Sequence, residues 1–355
     1  REVLLAYAER VGSSPALPSR LLQRLDAFIG ETAATALRGR GQRWLEEAAA
    51  ADFSGPPRPA QRPMPRPPAA LRPRRLSITE IEPLMRSPYD TYARHVLHLR
   101  RYEPLGAEVG PRERGTMIHT VFEQFVTAGF DFAAPDALAQ MTRLAQQAFA
   151  NLDAIGEKRD IWLERFERAA EQFLDWERQR EAEIAERVAE SKGEWAFPLL
   201  DGFVLVGKAD RIDRRHDGRL EILDFKTGGV PASKDMTAFE APQLLLEAAM
   251  ARAGAFPGVA RLDSAALTYL KIGLGPAALQ IKPFRLRDGM DLMTAVDEIV
   301  RRLQLHVDTL LLRDGLAMTA RVRPRVETGR KSWPGEFDHL ARTDEWTLTA
   351  GVDDP

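Results

Sequence analysis

The chain contains no cysteine. A disulfide framework, a thiolate zinc site, a cysteine-ligated iron–sulfur cluster and a cysteine nucleophile are therefore excluded within it. The same absence fits a reducing cytoplasm, which is the expected location. Apolar runs extend only a few residues, far short of the ~20 needed to cross a bilayer, so no membrane partner is expected. No Gly-x-x-x-x-Gly-Lys-Ser/Thr stretch occurs, which excludes a nucleotide-binding phosphate loop of that type. A surplus of one charge is missing as well: 50 Lys and Arg stand against 52 Asp and Glu, leaving −2. Any nucleic-acid surface must then be a local basic patch and not a global field.

What is present is ordinary for a globular chain: 355 residues, 44% hydrophobic and 29% charged. That length predicts one to three domains. The sequence starts at Arg1 without a signal-peptide pattern, and is expected to be the end of a longer protein. Residues 1–55 read as helical, with Leu4, Leu5 and Ala8, then Leu21, Leu22, Leu25, Phe28 and Ile29 at helical spacing. Two such helices cannot bury their apolar faces alone and are expected to close a preceding domain. Residues 56–75 hold eight prolines (Pro56, Pro57, Pro59, Pro63, Pro65, Pro67, Pro68 and Pro73), six arginines and no acid. Proline holds extended backbone, so this stretch reads as a semi-rigid linker whose charge is either solvated or follows a phosphate backbone.

Residues 76–355 read as one mixed α/β domain with a small sheet and helices on both sides. Ser77 and Thr79-Glu80 predict a capped helix over 78–86, and a second follows Pro88. Gly115-Thr116 opens a helix through Phe122, Phe125 and Val126. Residues 135–150 and 157–190 predict two more, the latter with a charged, solvated face and an apolar stripe of Trp162, Phe166, Phe173, Ile184 and Val188. Short strands follow at Glu194-Trp-Ala-Phe, Phe203-Val-Leu-Val and Leu220-Glu-Ile-Leu-Asp-Phe, with a hairpin turn at Asp217-Gly218. A helix over 239–253, strands over 265–272 and 278–285, and a helix over 289–313 complete the pattern.

The chemistry concentrates between Gly207 and Gly229. Side chains alternate across a strand, so Asp224 and Lys226 share a face with Leu220 and Ile222. A carboxylate and an ammonium ending an apolar strand need partners. Asp210, on the other arm of the hairpin, supplies a second carboxylate. Magnesium takes one or two carboxylates, keeps water, and accepts phosphate oxygens. A nearby lysine can orient or help deprotonate the attacking water and stabilise an anionic transition state. Asp-x-Lys alone is a common tripeptide that a strand-end salt bridge explains better, and the hairpin with Asp210 brings the two readings level. Three further residues add to it. His119 lies one helical turn before Glu123 and is a candidate metal ligand. Glu194 precedes an apolar strand. Gln243 opens the helix after the motif strand and offers an amide to a phosphate or a water.

The order His119, Glu194, Asp210, Asp224-x-Lys226, Gln243 resembles the RecB-like branch of the PD-(D/E)XK nucleases. The chain further resembles the C-terminal nuclease region of the AddB family of helicase–nuclease subunits, in its cysteine-free alphaproteobacterial type. The lines that carry this are Pro18-Ser-Arg-Leu-Leu, Leu76-Ser-Ile-Thr-Glu, Ser87-Pro-Tyr-Asp-Thr-Tyr-Ala, Gln243-Leu-Leu-Leu-Glu-Ala-Ala and Phe337-Asp-His-Leu-Ala-Arg-Thr-Asp-Glu-Trp.

The resemblance implies a restriction-endonuclease-like core. It implies a magnesium-dependent DNA nuclease, with manganese as a substitute. Asp210, Asp224 and the Phe225 carbonyl would be ligands, with His119 adding to them. Lys226 would activate or orient the attacking water, and Glu194 and Gln243 would support metal or DNA. It also implies an AddA-type helicase–nuclease partner feeding a single-stranded DNA end in double-strand-break repair.

Two departures stand out. Ser87 takes the place of a cluster-ligating cysteine, so the C-terminal tail must be clasped by packing, with Tyr89, Tyr92, Trp333, Phe337 and Trp346 as candidates. Glu247 stands where the wider superfamily often has tyrosine. A silent DNA-binding scaffold and a standalone RecB-like exonuclease remain open as alternatives. Arg86, Arg94, Arg100, Arg101, Arg112 and Arg114 give the early helices a local basic bias.

Overall fold

The computed structural model describes residues 3–52, 55, 61–100, 102, 111–150, 156–197, 200, 202–273, 278–321 and 335–346. They divide into two compact units, Arg1–Gln61 and Arg62–Pro355. In the first, residues 3–8 are without regular structure, and the helix expected around Leu4, Leu5 and Ala8 does not form. The chain instead turns at Gly12, with φ of 62°, between two-residue strands β1 (Arg10–Val11) and β2 (Ser14–Pro15). Helix α1 (Arg20–Ile29) is capped by the Ser19 hydroxyl, which accepts the Leu22 N–H at 3.3 Å. Helix α2 (Glu31–Asp52) follows. Leu21, Phe28 and Leu45 stay exposed, and Ala34 is the one buried residue of the two helices. They bury little apolar surface of their own, as their sequence implies.

The second unit begins inside the proline-rich stretch. Residues 56–60 lie outside the described residues. Beyond them, Pro67, Ala69 and Arg72 are buried. The Arg72 guanidinium donates to the carbonyls of Pro67, Leu310, Arg313 and Leu316 at 2.7–3.2 Å. Here the prolines hold an extended segment seated on the domain, and Arg72 is occupied within the protein instead of following a phosphate backbone.

The elements then run β3 (Arg75–Ser77), α3 (Ile78–Arg86), α4 (Pro88–Thr91), α5 (Pro111–Thr127), α6 (Ala137–Ala150), α7 (Gly156–Arg180), β4 (Ile184–Ala196), β5 (Val204–Arg215) and β6 (Leu220–Lys226). They continue with α8 (Ser233–Thr237), α9 (Gln243–Ala253), β7 (Ser264–Ile272), β8 (Leu279–Pro283), α10 (Leu292–Val307), α11 (Asp338–Ala341) and α12 (Thr343–Trp346). Helix α3 starts as expected: the Ser77 N–H donates to Glu80 Oε2 at 2.8 Å, the reciprocal half of a capping box.

Among the boundaries that differ from those the sequence predicts, two bear on the site. Helix α5 begins at Pro111 and not at Gly115, because proline suits the first turn, where its missing N–H is not needed. The helix expected over 157–190 stops at Arg180, and Ile184 and Val188 belong to β4. A spacing of four fits one face of a helix and one face of a strand alike. Pairing with β5 decides the matter, setting Val188 opposite Ile212.

The main sheet is six-stranded and mixed, in the order β3-β5-β6-β7-β8 with β4 on β5. Strand β5 pairs with β4 along one edge and divides its other edge between β3 and β6. Val204–Val206 pair with β3, and Arg211–Arg214 pair antiparallel with β6. Between these stretches, residues 207–210 face neither ladder, and the sheet forks there. Gly207 permits the close packing, since a Cβ would lie 2.6 Å from Ile78 Cδ1 and 3.0 Å from Met250 Sδ.

Strand β6 is central and alternates strictly. Leu220 and Ile222 join a core with α3, α9 and α10, while Leu223 and Phe225 join a second core with α5, α6 and α7. The charge on α7 is not all solvated. Glu177, at its end, lies 2.9 Å from Arg211, which is wholly buried and also pairs with Asp213 at 2.7 Å. Arg180 meets Asp213 and Glu221 at 2.6 Å each, tying α7 to β5 and β6. A third cluster joins Tyr89 and Ala93 to Ala320, Phe337 and Ala341, with Tyr92 against it. Trp333 and the Trp346 side chain lie outside the described residues. Of the expected basic bias, Arg86 bonds Glu82 at 2.7 Å and Arg94 pairs with Glu336, while Arg100 is exposed. Arg101 and the side chains of Arg112 and Arg114 lie outside the described residues. Among the described residues no helix is long and apolar enough to cross a membrane.

Candidate functional site

The end of β6 reaches the fork in the sheet. One step beyond the Arg211–Leu223 pair, the register sets Asp210 across from Asp224. No backbone ladder continues there, and a side chain takes it over: the Phe225 N–H donates to Asp210 Oδ2 at 2.8 Å. Asp224 is 2% exposed. Its Oδ1 accepts from Lys226 Nζ at 3.0 Å and from Gln243 Nε2 at 2.5 Å, and its Oδ2 lies 2.8 Å from the ammonium. Lys226 Nζ also donates to Gln243 Oε1 at 3.0 Å. The two strand-end charges and the first residue of α9 thus form one closed network.

Helix α5 brings His119 to the other side of Asp210, with Nδ1 3.4 Å from Asp210 Oδ2. The ring stands edge-on to Phe225 at 6.0 Å, and Phe225 stacks on Phe122 at 4.7 Å. Gly115 makes this approach possible. A Cβ there would meet Thr227 Oγ1 at 2.7 Å, just past the end of β6.

The sequence reading missed Glu190. Helical periodicity puts it at the end of a helix, but it lies in β4, across from Asp210 by the flanking pairs Ala189–Arg211 and Ser191–Ala209. Its φ of 53° is rare for a residue with a side chain. His119, Glu190 and Asp210 each offer a ligand atom, and these atoms lie within 4.8 Å of one another. The signal that finds Glu190 is register: extending the β4–β5 pairing places a carboxylate opposite Asp210.

Glu194 is not in this group. Arg75 Nη1 donates to its Oε2 at 3.0 Å, and the side chain is 63% exposed. It lines a cleft of about 380 Å³ that Gln243, Glu247, Lys192 and Lys208 also line. Lys208 pairs with Glu190. Glu247 is buried one turn after Gln243, and accepts from Gln243 Nε2 at 3.1 Å. Its Oε2 has no hydrogen-bond partner among the described residues.

The electrostatics follow from burial and crowding. Burial pushes Asp224 up to about 6, with Lys226 opposing and Asp210 adding to the rise. Burial also pushes Glu247 well above the usual carboxylate range, reinforced by Asp224 and Asp210. For His119 and Lys226, burial works against the cation, yet the facing carboxylates more than offset it, and both lie above their ordinary values. Without a cation, the site therefore keeps Lys226 as an ammonium, while burial and crowding oppose the ionisation of Asp224 and Glu247. A divalent ion relieves that opposition. Grouped carboxylates with one imidazole suit a hard or borderline cation, so the residues fit the magnesium or manganese expected here.

This geometry agrees with what the chain is similar to. The sequence profile of the PD-(D/E)XK nuclease superfamily matches residues 75–327. An uncharacterized protein of Rickettsia conorii is 27% identical over 184 residues, which is 50% of this chain and 22% of that protein. One of Rickettsia typhi is 26% identical over 206 residues, covering 56% and 24%. The chain thus spans about a quarter of the length of these relatives. The crystal structure of SSO0001 aligns at TM-score 0.23 and 15% identity, over 67% of this chain and 88% of that one. The chain belongs to the PD-(D/E)XK nuclease superfamily.

Proposed function

We propose that the chain is a magnesium-dependent deoxyribonuclease acting as an exonuclease on single-stranded DNA ends. In this reading it is a cytoplasmic subunit of an AddAB-type complex that processes double-strand breaks, and an AddA-type helicase–nuclease feeds it the strand. The observation that carries the nuclease reading is the meeting of Asp210, Asp224 and Lys226 at the sheet fork, within reach of His119 and Glu190. His119, Glu190, Asp210, Asp224 and the Phe225 carbonyl are the groups that would hold Mg2+, or Mn2+ in its place. When bound, such an ion lowers the pKa of water and offsets charge on a phosphoryl group.

The chain's own groups do the rest. Lys226 is held as an ammonium by Asp224 and Gln243, so it orients the attacking water and stabilises the phosphorane-like charge instead of abstracting a proton. The Gln243 amide fixes both partners, with its oxygen to Lys226 and its nitrogen to Asp224. Phe225 and Phe122 form a dry wall behind His119. None of these groups reads a base, which suits a strand delivered by a motor regardless of sequence.

The test is cleavage of end-labelled single-stranded DNA in magnesium against EDTA, by the chain alone and with an AddA-type partner whose own nuclease is disabled. Metal-dependent release of short products supports the reading. DNA binding with no cleavage in either setting overturns it in favour of a silent scaffold.

A further inference from the structure

We propose that the cleft beyond the end of β6 is a phosphate-binding subsite for the DNA strand, next to the scissile position. The inference rests on the nuclease reading above and deepens it. The cleft holds about 480 Å³ and is lined by Gly229, Ser233, Lys271, Lys282 and Arg285, among others.

Three observations carry it. Lys271, Lys282 and Arg285 have no carboxylate partner among the described residues, in a chain whose charges nearly cancel. Unneutralised cations converging on one concavity repel one another and are stabilised by an anion. The cleft also adjoins the site along the sheet. Lys226 and Lys271 are paired neighbours in the parallel β6–β7 ladder, so their side chains leave the same face of the sheet about 5 Å apart. The chain leaving Lys226 passes through Thr227 and Gly228 to Gly229 in the cleft wall. Finally, Lys282 and Arg285 are exposed and Lys271 is half-buried, so all three remain reachable.

A phosphodiester backbone has the matching chemistry. It carries one negative charge per nucleotide and needs no base readout. The strand would therefore extend from the carboxylate cluster across Lys271 toward Lys282 and Arg285.

The test measures binding of a labelled thymidine 20-mer in calcium, across a potassium chloride series. The parent is compared with the triple variant Lys271→Gln, Lys282→Gln, Arg285→Gln, and with Lys282→Gln alone, which alters one exposed side chain. Each phosphate contact contributes about 0.7 to the slope of log affinity against log salt for single strands. The triple variant is expected to lose about 2 from that slope, and the single variant about 0.7. Unchanged slopes in both variants overturn the subsite. Inorganic phosphate is the second arm: if it displaces the 20-mer only at concentrations where potassium chloride of equal ionic strength does so, the cleft holds a strand. If it competes well below that, the cleft is a free-phosphate site and the proposal fails. The two readings fail separately. A parent that binds with the steep slope but never cleaves refutes the nuclease alone. A parent that cleaves while the variants keep its slope refutes the subsite alone.

Discussion

Lys226 Nζ and Gln243 Oε1 lie 3.0 Å apart, and the same amide donates to Asp224 at 2.5 Å. Gln243 therefore bridges the two strand-end charges, which also meet directly at 2.8 Å. Gln243→Leu is expected to lower kcat about 10–100-fold, the usual cost of losing a group that orients the reacting ones. Initial cleavage rates over a DNA concentration series check this, since they separate kcat from KM. A change in KM alone would assign Gln243 to DNA binding instead.

Glu190 makes its own prediction. If it completes the cation site with His119 and Asp210, Glu190→Gln should weaken manganese affinity by about 10–100-fold. Isothermal titration with manganese on the DNA-free chain reads this directly. Equal affinity in parent and variant would remove Glu190 from the site and leave its pairing with Lys208 as its role.

The tail cluster predicts a pH dependence. Burial pushes Asp90 up to about 6, with Asp338 and Glu336 adding and Arg94 opposing. The folded state thus holds this proton more tightly than the unfolded chain does. Stability is greater below the unfolded carboxylate range and falls as pH rises through about 6. Asp90→Asn should raise the melting temperature at pH 7.5 by about 2–4 °C, the shift expected for roughly 1 kcal/mol in a domain of this size. At pH 4 it should change little. An equal shift at both values would trace the effect to packing and not to the proton.

Gly115 is tested by size. Gly115→Val brings side-chain atoms onto Thr227, where even a Cβ would sit at 2.7 Å. Helix α5 must then shift and carry His119 away from Asp210. Metal affinity should fall more than stability does. Unchanged affinity with a lowered melting temperature would mean the helix gives way without moving His119.

Much of the site could be read from the sequence. Alternation in Leu220–Lys226 and the Asp217-Gly218 turn define the hairpin, and the hairpin brings Asp210 to Asp224. Gln243 follows from its place at the start of the next helix. Glu190 was hidden because Ile184 and Val188, four apart, satisfy a helix as well as a strand. Only pairing with β5, a non-local contact, settles which. The proline-rich stretch shows a similar limit. Proline reports extended backbone, but whether that backbone is solvated or seated depends on distant carbonyls at Leu310, Arg313 and Leu316 that receive Arg72. Glu194 lies in a strand near the site cleft, and its ion pair with Arg75 is equally invisible to local pattern.

The most direct test compares magnesium-dependent cleavage of labelled single-stranded DNA by the parent chain, Lys226→Ala and Asp224→Asn, with calcium-supported binding measured on all three. Both variants are expected to lose at least about 100-fold in cleavage rate, as loss of a charge-stabilising group does, while still binding DNA. Cleavage that persists in both variants would contradict this, because the hydrolytic site would then lie elsewhere.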